Sequence, residues 1–402
     1  MPHTSFTASV PRQSRLWYLP FVAWLIVALA PIGQMAIDIF VPSLPLMAAE
    51  FSADRPVVQW SVTLYLVAFA LGQLVYGPVS DSWGRRNTLI AGLLVFIVGS
   101  VVCIVAPSIG WFTAGRVVQG AGITAASVLM RAIATDCFQG PRLAQVLSCM
   151  VVGWGMGPIV APVIGAFFQT SLGWRYSLVF LLAYGVLLLG LVVLVMKESH
   201  AKPVPFSLGR VVRGIGAVYG NRRFDLIFLA MGCCYGVLLA FNLVGPFIVQ
   251  TVMGHGPAVF GAVALAMGAM YFGGVFSNRL VPASVSVRAR FRVASQGALG
   301  AAAAQVLLAW AFDGQLWALV LPFACVVFFS GVMYPNLMAQ GMSAFPQMAG
   351  LASSLLGFSL MVIAAAVMGL ASLLPVQSLL PFALLTLLLM EAVFWLVRQV
   401  MP

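Results

Sequence analysis

Long apolar stretches follow one another along this chain, with only short polar gaps between most of them. A helix needs about 20 apolar residues to cross the hydrocarbon of a bilayer. Only 7% of the 402 residues are charged, whereas soluble domains carry about 25% charge. The sequence therefore predicts an all-α membrane protein with twelve transmembrane helices. These predicted helices cover residues 19–41, 57–79, 88–106, 109–135, 144–168, 177–196, 224–250, 258–280, 293–311, 316–340, 350–373 and 376–397.

The longest polar stretch, from Lys197 to Arg223, separates the sixth predicted helix from the seventh. The two sides also repeat each other. GQLVYGPVSDSWGRRNTL (72–89) and GAMYFGGVFSNRLVPASVSVR (268–288) each run from glycine through an aromatic residue and glycine into a basic turn, and the second copy has Asn278 in place of the acid. We predict two pseudo-symmetric six-helix bundles, 1–196 and 224–402, with a cytoplasmic linker over 197–223. Six-plus-six repetition is found in transporters that rock two bundles about a central site.

The basic residues fall on one side of the predicted membrane. Sixteen of the 20 Lys and Arg residues lie in the tails and turns on the side of the N-terminus. Only Arg55 and Arg175 lie on the other side, while Arg116 and Arg131 lie within the fourth predicted helix. Because cytoplasmic loops are enriched in Lys and Arg, we expect both termini in the cytoplasm. The expected location is a bacterial-type inner (plasma) membrane, with the protein in contact with its lipid.

Several other classes of protein are disfavoured. A net charge of +11 is one sign of a nucleic-acid partner, but membrane topology explains the charge, and the sequence has no basic stretch interleaved with aromatic residues. The six cysteines include no C-x-x-C pair and the three histidines lie in the N-terminal tail or loops, so we predict no metal site. A membrane enzyme would need a catalytic cluster, and the sequence has no H-x-x-x-H, paired loop carboxylates or Ser-His arrangement.

The turn after the second predicted helix reads GPVSDSWGRR, residues 77–86. Glycine allows a tight turn and a close approach of helices. The string resembles the G-x-L-x-D-R-x-G-R-[RK] signature of the major facilitator superfamily, with Val79 and Ser82 where the family usually has leucine and arginine. The resemblance implies a conformational latch in which Asp81 caps a helix of the other half and Arg85 reaches Asp136. The latch residues would be Gly77, Asp81, Gly84, Arg85, Arg86 and Asp136. The alternative is a basic turn that only fixes topology.

The fourth predicted helix contains GRVVQGAG, beginning at Gly115. An arginine in the middle of a membrane helix costs about 2.5–3.5 kcal/mol on insertion scales unless it is paired or hydrated. Gln119 lies three residues after Arg116, next to it on a helix. The pattern resembles the R-x-x-Q-G motif of the same superfamily, which implies a role in proton transfer. The alternative is an arginine that reaches back to the nearby membrane surface.

The first predicted helix contains one acid, Asp38, in the stretch IGQMAIDIFVPSLPLM. Asp38 lies roughly 12 Å below the external end of its helix, and Arg116 about 10 Å below the same surface. Burial favours the neutral acid, whereas a nearby arginine favours the carboxylate. A change in their separation or hydration would therefore alter proton binding. We predict that Asp38 and Arg116 couple transport to protons; the alternatives are a static ion pair and an acid outside the lipid.

The fifth predicted helix contains GWGMGPIVAPVIGAFF, residues 153–168. The string resembles the G-x-x-x-G-P-x-x-G-G antiporter motif of exporters in this superfamily, with Ala161 and Pro162 in place of the last two glycines. The matching residues are Gly153, Gly157, Pro158, Pro162 and Gly165. This string, together with DIFVPSLPLMAAEF (38–51), resembles the bicyclomycin/chloramphenicol-resistance (Bcr/CflA) branch. The alternative is generic glycine packing between membrane helices.

Taken together, these motifs resemble those of a twelve-span drug:proton antiporter of the major facilitator superfamily. The resemblance implies proton-coupled efflux of small amphipathic molecules by alternating access, driven by the proton gradient without a cofactor, in a protein expected to be a monomer. It also implies a central cavity lined by the first, fourth, seventh and tenth helices. The candidate cavity residues are Gln34, Gln119, Asn242, Tyr334 and Asn336.

Other functions stay open at this stage. The nearest alternative is an exporter of an endogenous metabolite such as a siderophore. A proton-coupled importer is less favoured because of the fifth-helix motif. A polytopic membrane enzyme and a membrane receptor are the remaining alternatives, and the sequence favours neither.

Overall fold

The computed structural model describes residues 12–199, 216, 219–282, 284–343 and 349–400. Within that part of the chain, twelve helices are long and apolar enough to cross a membrane. The predicted all-α architecture with twelve transmembrane helices is confirmed. The helices are α1 (Arg12–Asp38), α2 (Arg55–Trp83), α3 (Arg85–Ile104), α4 (Ile109–Cys137), α5 (Gly140–Ser171), α6 (Arg175–Val195), α7 (Arg222–Pro246), α8 (Pro257–Leu280), α9 (Val287–Ala311), α10 (Leu316–Ser343), α11 (Ala349–Ser372) and α12 (Leu380–Val400).

The segment between α6 and α7 was predicted to be a linker over 197–223, and most of it lies outside the described residues. The same is true of Lys202, Arg210 and Arg213, which contributed to the predicted orientation. We refer to α1–α6 as the N-terminal half and to α7–α12 as the C-terminal half. The end of the bundle at which α1 begins and α12 ends is called the termini face, and the other end the opposite face.

The first helix of each half is interrupted near the opposite face. Helix α1 ends at Asp38 and is followed by a 3₁₀ turn, Val41–Ser43, and a short helix, Leu44–Glu50. Helix α7 ends at Pro246 and continues as a π-helical turn, Phe247–Val252. Proline lacks the backbone N–H that a continuous helix needs, and Pro42 lies in the 3₁₀ turn. The predicted first helix, drawn without a break to residue 41, therefore ends earlier and leaves Asp38 at the interruption.

Close helix packing holds the N-terminal half together. Helix α4 packs along both α2 and α3. At the α3–α4 contact, a Cβ atom on Gly99 would meet the backbone of Gln119, and one on Gly122 would meet the backbone of Phe96. Small residues allow such close approach in membranes, where packing rather than the hydrophobic effect drives helix association. Helix α4, which carries Arg116, is thus closely packed within its half.

The two halves meet along two helix pairs, α2 with α11 and α5 with α8. Near the opposite face, hydrogen bonds also join them. Gln59 of α2 donates to the Leu243 carbonyl of α7 at 2.9 Å. Gln250 of the π-helical turn donates to the Pro42 carbonyl at 2.7 Å. Arg55 donates to the carbonyl of Ser372, the last residue of α11, and to that of Leu374, two residues further along. The halves are therefore bonded to each other at the opposite face.

Candidate functional site

A cavity of about 220 Å³ lies between the two halves. Its wall comes from α2, α4 and α5 of the N-terminal half and from α8, α10 and α11 of the C-terminal half. The lining is mostly aromatic or flexible and apolar, and it includes Trp154, Tyr271, Tyr334 and Met338. Aromatic and methionine side chains form a wall that can adapt to several apolar shapes. Of the candidate cavity residues, Tyr334 contributes to this lining.

A smaller cavity of about 60 Å³ continues from the first and shares Trp154 and Tyr271 with it. Its wall includes Tyr235 and Asn242, both on α7. Tyr235 lies between the other rings, with its centroid 6.0 Å from that of Trp154 and 6.5 Å from that of Tyr334. The smaller cavity therefore reaches Asn242, whereas no described residue of α1 lines either cavity.

The carboxylate of Asp38 lies behind Asn242, outside the cavity wall, and is completely buried. Its Oδ2 accepts a hydrogen bond from Gln34 Nε2 at 2.8 Å, and its Oδ1 accepts one from Asn242 Nδ2 at 2.8 Å. Tyr235 donates its hydroxyl to Gln34 Oε1 at 2.8 Å. A carboxylate with both oxygens occupied by donors is well satisfied for a buried group. Two of the four members belong to the other half of the protein, so Asp38 is bonded across the interface between the halves.

Arg116 is also completely buried, on α4. Its Cζ lies 4.5 Å from the ring centroid of Phe40 and 4.0 Å from that of Tyr65. The guanidinium thus makes cation–π contacts with two aromatic faces. One Nη donates to Gln119, which in turn donates to Ser100 Oγ at 2.8 Å. The remaining Nε and Nη2 atoms have no hydrogen-bond partner among the described residues.

The structure does not join Asp38 and Arg116 directly. Among the described residues, neither a hydrogen bond nor an ion pair links them. Their similar depth was inferred from residue counts along each helix, and that inference does not fix the direction of either side chain. Tyr65, which contacts Arg116, donates its hydroxyl to the Gly33 carbonyl of α1 at 2.9 Å. Asp38 and Arg116 therefore belong to two separate polar clusters. Both clusters contact α1, the first through Asp38 and Gln34 and the second through the Gly33 carbonyl.

The glycine-rich string of α5 packs against this part of α1. A Cβ atom on Gly157 would meet the side chain of Gln34, and one on Gly165 would meet the Ile39 carbonyl, next to Asp38. Gly153 lies similarly against the Val27 carbonyl. Pro158 and Pro162 lie inside the same helix, which is continuous from Gly140 to Ser171. The motif residues therefore let the α5 backbone approach the segment that carries Gln34 and Asp38.

The predicted latch residues meet at the termini face. Arg85 Nη1 donates to Asp81 Oδ1 at 2.6 Å and Arg85 Nε donates to Asp136 Oδ2 at 3.2 Å. Arg85 thereby joins the ends of α2, α3 and α4. Arg86 donates instead to the carbonyls of Val193 and Met196, each at 2.7 Å. The positive φ of +92° at Gly84 permits the sharp turn between α2 and α3.

Two expectations about this turn differ from its geometry. Asp81 was expected to cap a helix of the other half, but its partner among the described residues is Arg85. The residues just before α11, 344–348, lie outside the described part of the chain. Gly77 was grouped with the latch, yet a Cβ atom there would meet nothing within 4 Å. Gly77 therefore does not mediate a close approach in this conformation.

Sequence reasoning missed Glu198. Its Oε1 accepts from the backbone N–H of Arg85 at 2.9 Å and its Oε2 from that of Arg86 at 3.1 Å. These groups are at the start of α3, where helical N–H groups lack partners and the helix dipole favours an anion. The sequence signal was a lone acid in KESH, directly after the sixth apolar stretch. Glu198 therefore ties the end of α6 to the start of α3.

Three of the candidate cavity residues do not line the main cavity, because their side chains are bonded elsewhere. Gln34 and Gln119 are buried in the clusters of Asp38 and Arg116. Asn336 donates to Asn278 Oδ1 and to the Val332 carbonyl, both at 2.8 Å. It thus connects α10 with α8 at the termini face and is absent from the cavity wall. Asn242 lines the smaller cavity, where it bonds to Asp38.

Twelve membrane helices arranged in two halves, with a cavity between the halves, are the architecture of two-bundle transporters. Residues 23–369 match the family model described as Major Facilitator Superfamily. The chain belongs to the Major Facilitator Superfamily, and it is a transporter rather than an enzyme.

Characterised and uncharacterised relatives agree with this assignment. The uncharacterized MFS-type transporter YdgK of Bacillus subtilis is 32% identical over 84% of this chain and 84% of its own length. Multidrug resistance protein D of Escherichia coli is 26% identical over 83% of this chain and 84% of its own. The bicyclomycin resistance protein homolog of Haemophilus influenzae is 27% identical, covering 82% and 83%. The predicted resemblance to the bicyclomycin/chloramphenicol-resistance branch is confirmed.

A solved structure shows the same fold. The crystal structure of a D-xylose-proton symporter superposes with a TM-score of 0.76 at 15% identity, covering 94% of this chain and 97% of that one. At this level of identity, the likeness concerns the fold alone.

Proposed function

We propose that this protein exports small amphipathic molecules in exchange for protons, by alternating exposure of the cavity at the two faces of the membrane. The observation that carries the proposal is the bonding of Asp38, whose two oxygens accept hydrogen bonds from Gln34 of its own half and Asn242 of the other. Relatives named for multidrug and bicyclomycin resistance support efflux of drug-like molecules. The mainly apolar wall of the cavity suits such cargo.

Protonation of Asp38 would change the bonding between the halves. An ionised carboxylate accepts hydrogen bonds through both oxygens, whereas the protonated acid carries an O–H that donates. That O–H would face an amide N–H₂ group, either that of Gln34 or that of Asn242. One of the two bonds is then lost or rearranged. The ionised form therefore holds the halves together at the opposite face more firmly than the neutral form does.

This difference supplies a way to couple cargo to protons. The empty ionised protein is held closed at the opposite face, so it does not open there without cargo, bind a proton and dissipate the gradient. A cargo molecule that reaches the smaller cavity can take over Asn242 or Tyr235, which line it, and release that contact. After the cargo leaves on the opposite side, Asp38 binds a proton there and the neutral form returns. The proton then leaves toward the termini face.

The orientation follows from the basic residues in the tails and turns. We propose that the termini face is cytoplasmic, in a bacterial-type inner membrane, because Lys and Arg concentrate on that side. Inward movement of a proton then contributes about 2.3 kcal/mol per 100 mV, and about 1.4 kcal/mol for each pH unit of gradient. A single chain supplies both cavities and the Asp38 cluster, so we propose that the monomer transports without a cofactor.

The substitution Asp38→Asn tests the role of the carboxylate, since asparagine has the same shape but does not titrate. We expect at least a tenfold loss of transport driven by a pH gradient in everted membrane vesicles. We also expect the residual transport to lose its dependence on pH. Chloramphenicol and bicyclomycin are suitable first compounds. Wild-type transport with the normal pH dependence would exclude Asp38 as the proton carrier.

A matched control is Asp54→Asn, because Asp54 is exposed at the start of α2 on the opposite face. This variant should transport like the wild type. The direction of transport is tested in the same vesicles, since added substrate should dissipate a preformed pH gradient if the protein exports by proton exchange. A gradient that is unaffected by every transported compound would contradict antiport.

A further inference from the structure

Arg131 is a second arginine of α4, and it lines the main cavity. It lies six residues before the end of α4 at Cys137, toward the termini face. The side chain of Arg131 is exposed, and it borders the cavity although the neighbouring helices are apolar. Arg116, in contrast, is completely buried and packed between two rings. The two arginines of this helix therefore occupy different environments.

Arg131 has no hydrogen-bond or ion-pair partner among the described residues. The chain has nine Asp and Glu residues, all of them in the described part, and none lines this cavity. Asp136, the acid closest in sequence, accepts hydrogen bonds from Arg85 and Ser199 instead. The positive charge of Arg131 is therefore not neutralised by a carboxylate of the protein.

Arg131 is surrounded by neutral and mostly apolar side chains in the cavity wall. The other polar groups in the wall are neutral, and they include Gln73, Ser127 and Tyr334. Most of the remaining wall is aromatic, aliphatic or methionine, with Trp154 as its largest member. Charges interact more strongly in such surroundings than in bulk water. The cavity thus combines one guanidinium with a large apolar surface.

We propose that the preferred cargo of this cavity is an amphipathic organic anion, with a carboxylate held by Arg131 and an apolar, preferably aromatic, body against the surrounding rings. The proposal rests on the proposed transport function and specifies its substrate class. A planar guanidinium binds a carboxylate through two parallel hydrogen bonds. A cationic amphipath would meet the same unneutralised charge and be repelled. The volume of about 220 Å³ selects a small body in this conformation.

The charge of the cargo has a consequence for energetics. In each cycle one anion would leave the cell and one proton would enter it. Electrically, this equals the inward movement of two positive charges. Both the membrane potential and the pH gradient would then drive export. Exchange of a monocation for one proton would move no net charge, and the potential would not contribute.

The test uses three probes with the same body and different heads: 4-tert-butylbenzoate, 4-tert-butylbenzamide and 4-tert-butylbenzylammonium. Binding to the purified full-length protein is measured by isothermal titration calorimetry, without a proton gradient. We expect the benzoate to bind at least tenfold more tightly than the amide, and the ammonium more weakly than either. Arg131→Gln should abolish the preference for the benzoate, whereas Arg131→Lys should retain part of it.

Arg142→Gln is the matched control, because Arg142 is exposed near the start of α5 and lies outside the cavity wall. It removes the same charge and should leave the preference unchanged. Equal binding of the three probes, tighter binding of the ammonium, or no binding of any probe would overturn the proposal. So would an undiminished preference in Arg131→Gln.

The two proposals fail in different ways. Selective benzoate binding without any proton movement in vesicles would remove the proposed function and keep the cargo class. Proton-coupled export of cations alone would keep the function and remove the cargo class.

Discussion

The two halves connect their second and fourth helices at the termini face with different chemistry. In the N-terminal half, Arg85 bridges Asp81 at the end of α2 and Asp136 at the end of α4. In the C-terminal half, Asn336 of α10 donates to Asn278 of α8 at 2.8 Å. Corresponding helices are thus joined in both halves, by charges in one and by neutral amides in the other.

The starts of the third helices differ as well. Helix α3 begins after Gly84, which has no side chain to cap it, and the N–H groups of Arg85 and Arg86 are bound by Glu198, more than 100 residues away. Helix α9 is capped locally, since Ser286 accepts from the N–H of Ala289 at 3.2 Å. The N-terminal half therefore depends on long-range charged contacts where the C-terminal half uses short-range neutral ones.

The difference shows how an internal repeat can keep a geometry while its chemistry diverges. Charged contacts are stronger when made and more costly when one partner is removed, because the other charge stays partly buried. A neutral amide bridge loses less on removal. We expect the N-terminal turn to be the more sensitive of the two to substitution.

The largest effect is expected for Arg85→Gln, which leaves two carboxylates without their counter-charge. We expect the free energy of unfolding to fall by about 2.5 kcal/mol, mainly at the mostly buried Asp136 because Asp81 is half exposed, with a clear loss of transport rate. The matched change in the other half, Asn336→Ala, should cost about 1 kcal/mol. Chemical denaturation in detergent micelles measures both. Equal costs would contradict the asymmetry between the halves.

An intermediate effect is expected for Gly84→Ala. An added Cβ would strain a backbone with φ of +92° and would also collide with the Glu198 carboxylate. We expect a loss of about 2 kcal/mol from strain and collision together. Gly220→Ala separates the two causes, because Gly220 has φ of +99° but open space around its Cβ position. If both variants lose the same stability, the collision of the added Cβ with Glu198 contributes nothing to the loss, and backbone strain accounts for all of it.

The smallest effects are expected at the two helix starts themselves. Ser286→Ala removes a local cap and should cost about 1 kcal/mol. Glu198→Gln keeps one acceptor oxygen but loses the bond to the second N–H group and the charge near the α3 dipole, which together should cost about 1 kcal/mol at low salt. High salt should shrink the cost of Glu198→Gln and leave that of Ser286→Ala unchanged. A salt-independent cost at Glu198 would show that its charge is not involved.

Much of the fold was predictable from sequence because hydrophobic length alone defines a membrane helix. The motif residues of the second turn and of α5 could also be located, since their glycines and charges stand out in apolar surroundings. The interruption of α1 after Asp38 was missed, although Pro42 and Pro45 in that stretch were its signal.

The partners of the charged residues were harder to predict. Residue counts place Asp38 and Arg116 at similar depth, but they do not state the direction in which each side chain points. Asn242 lies 204 positions from Asp38 and in the other half, and Glu198 lies in a polar segment with little pattern. Arg131 had no surrounding motif, and its significance depends on the absence of acids in a cavity that only the folded chain forms.

The contacts that close the opposite face have a consequence for divergence among related sequences. Arg55, Gln59 and Gln250 all donate to main-chain carbonyls of the other half. Every amino acid supplies such an oxygen, so the accepting positions are free to mutate while the three donors are not. At each of these three contacts, homologues should therefore retain the polar donor and tolerate almost any residue at the position that supplies the carbonyl.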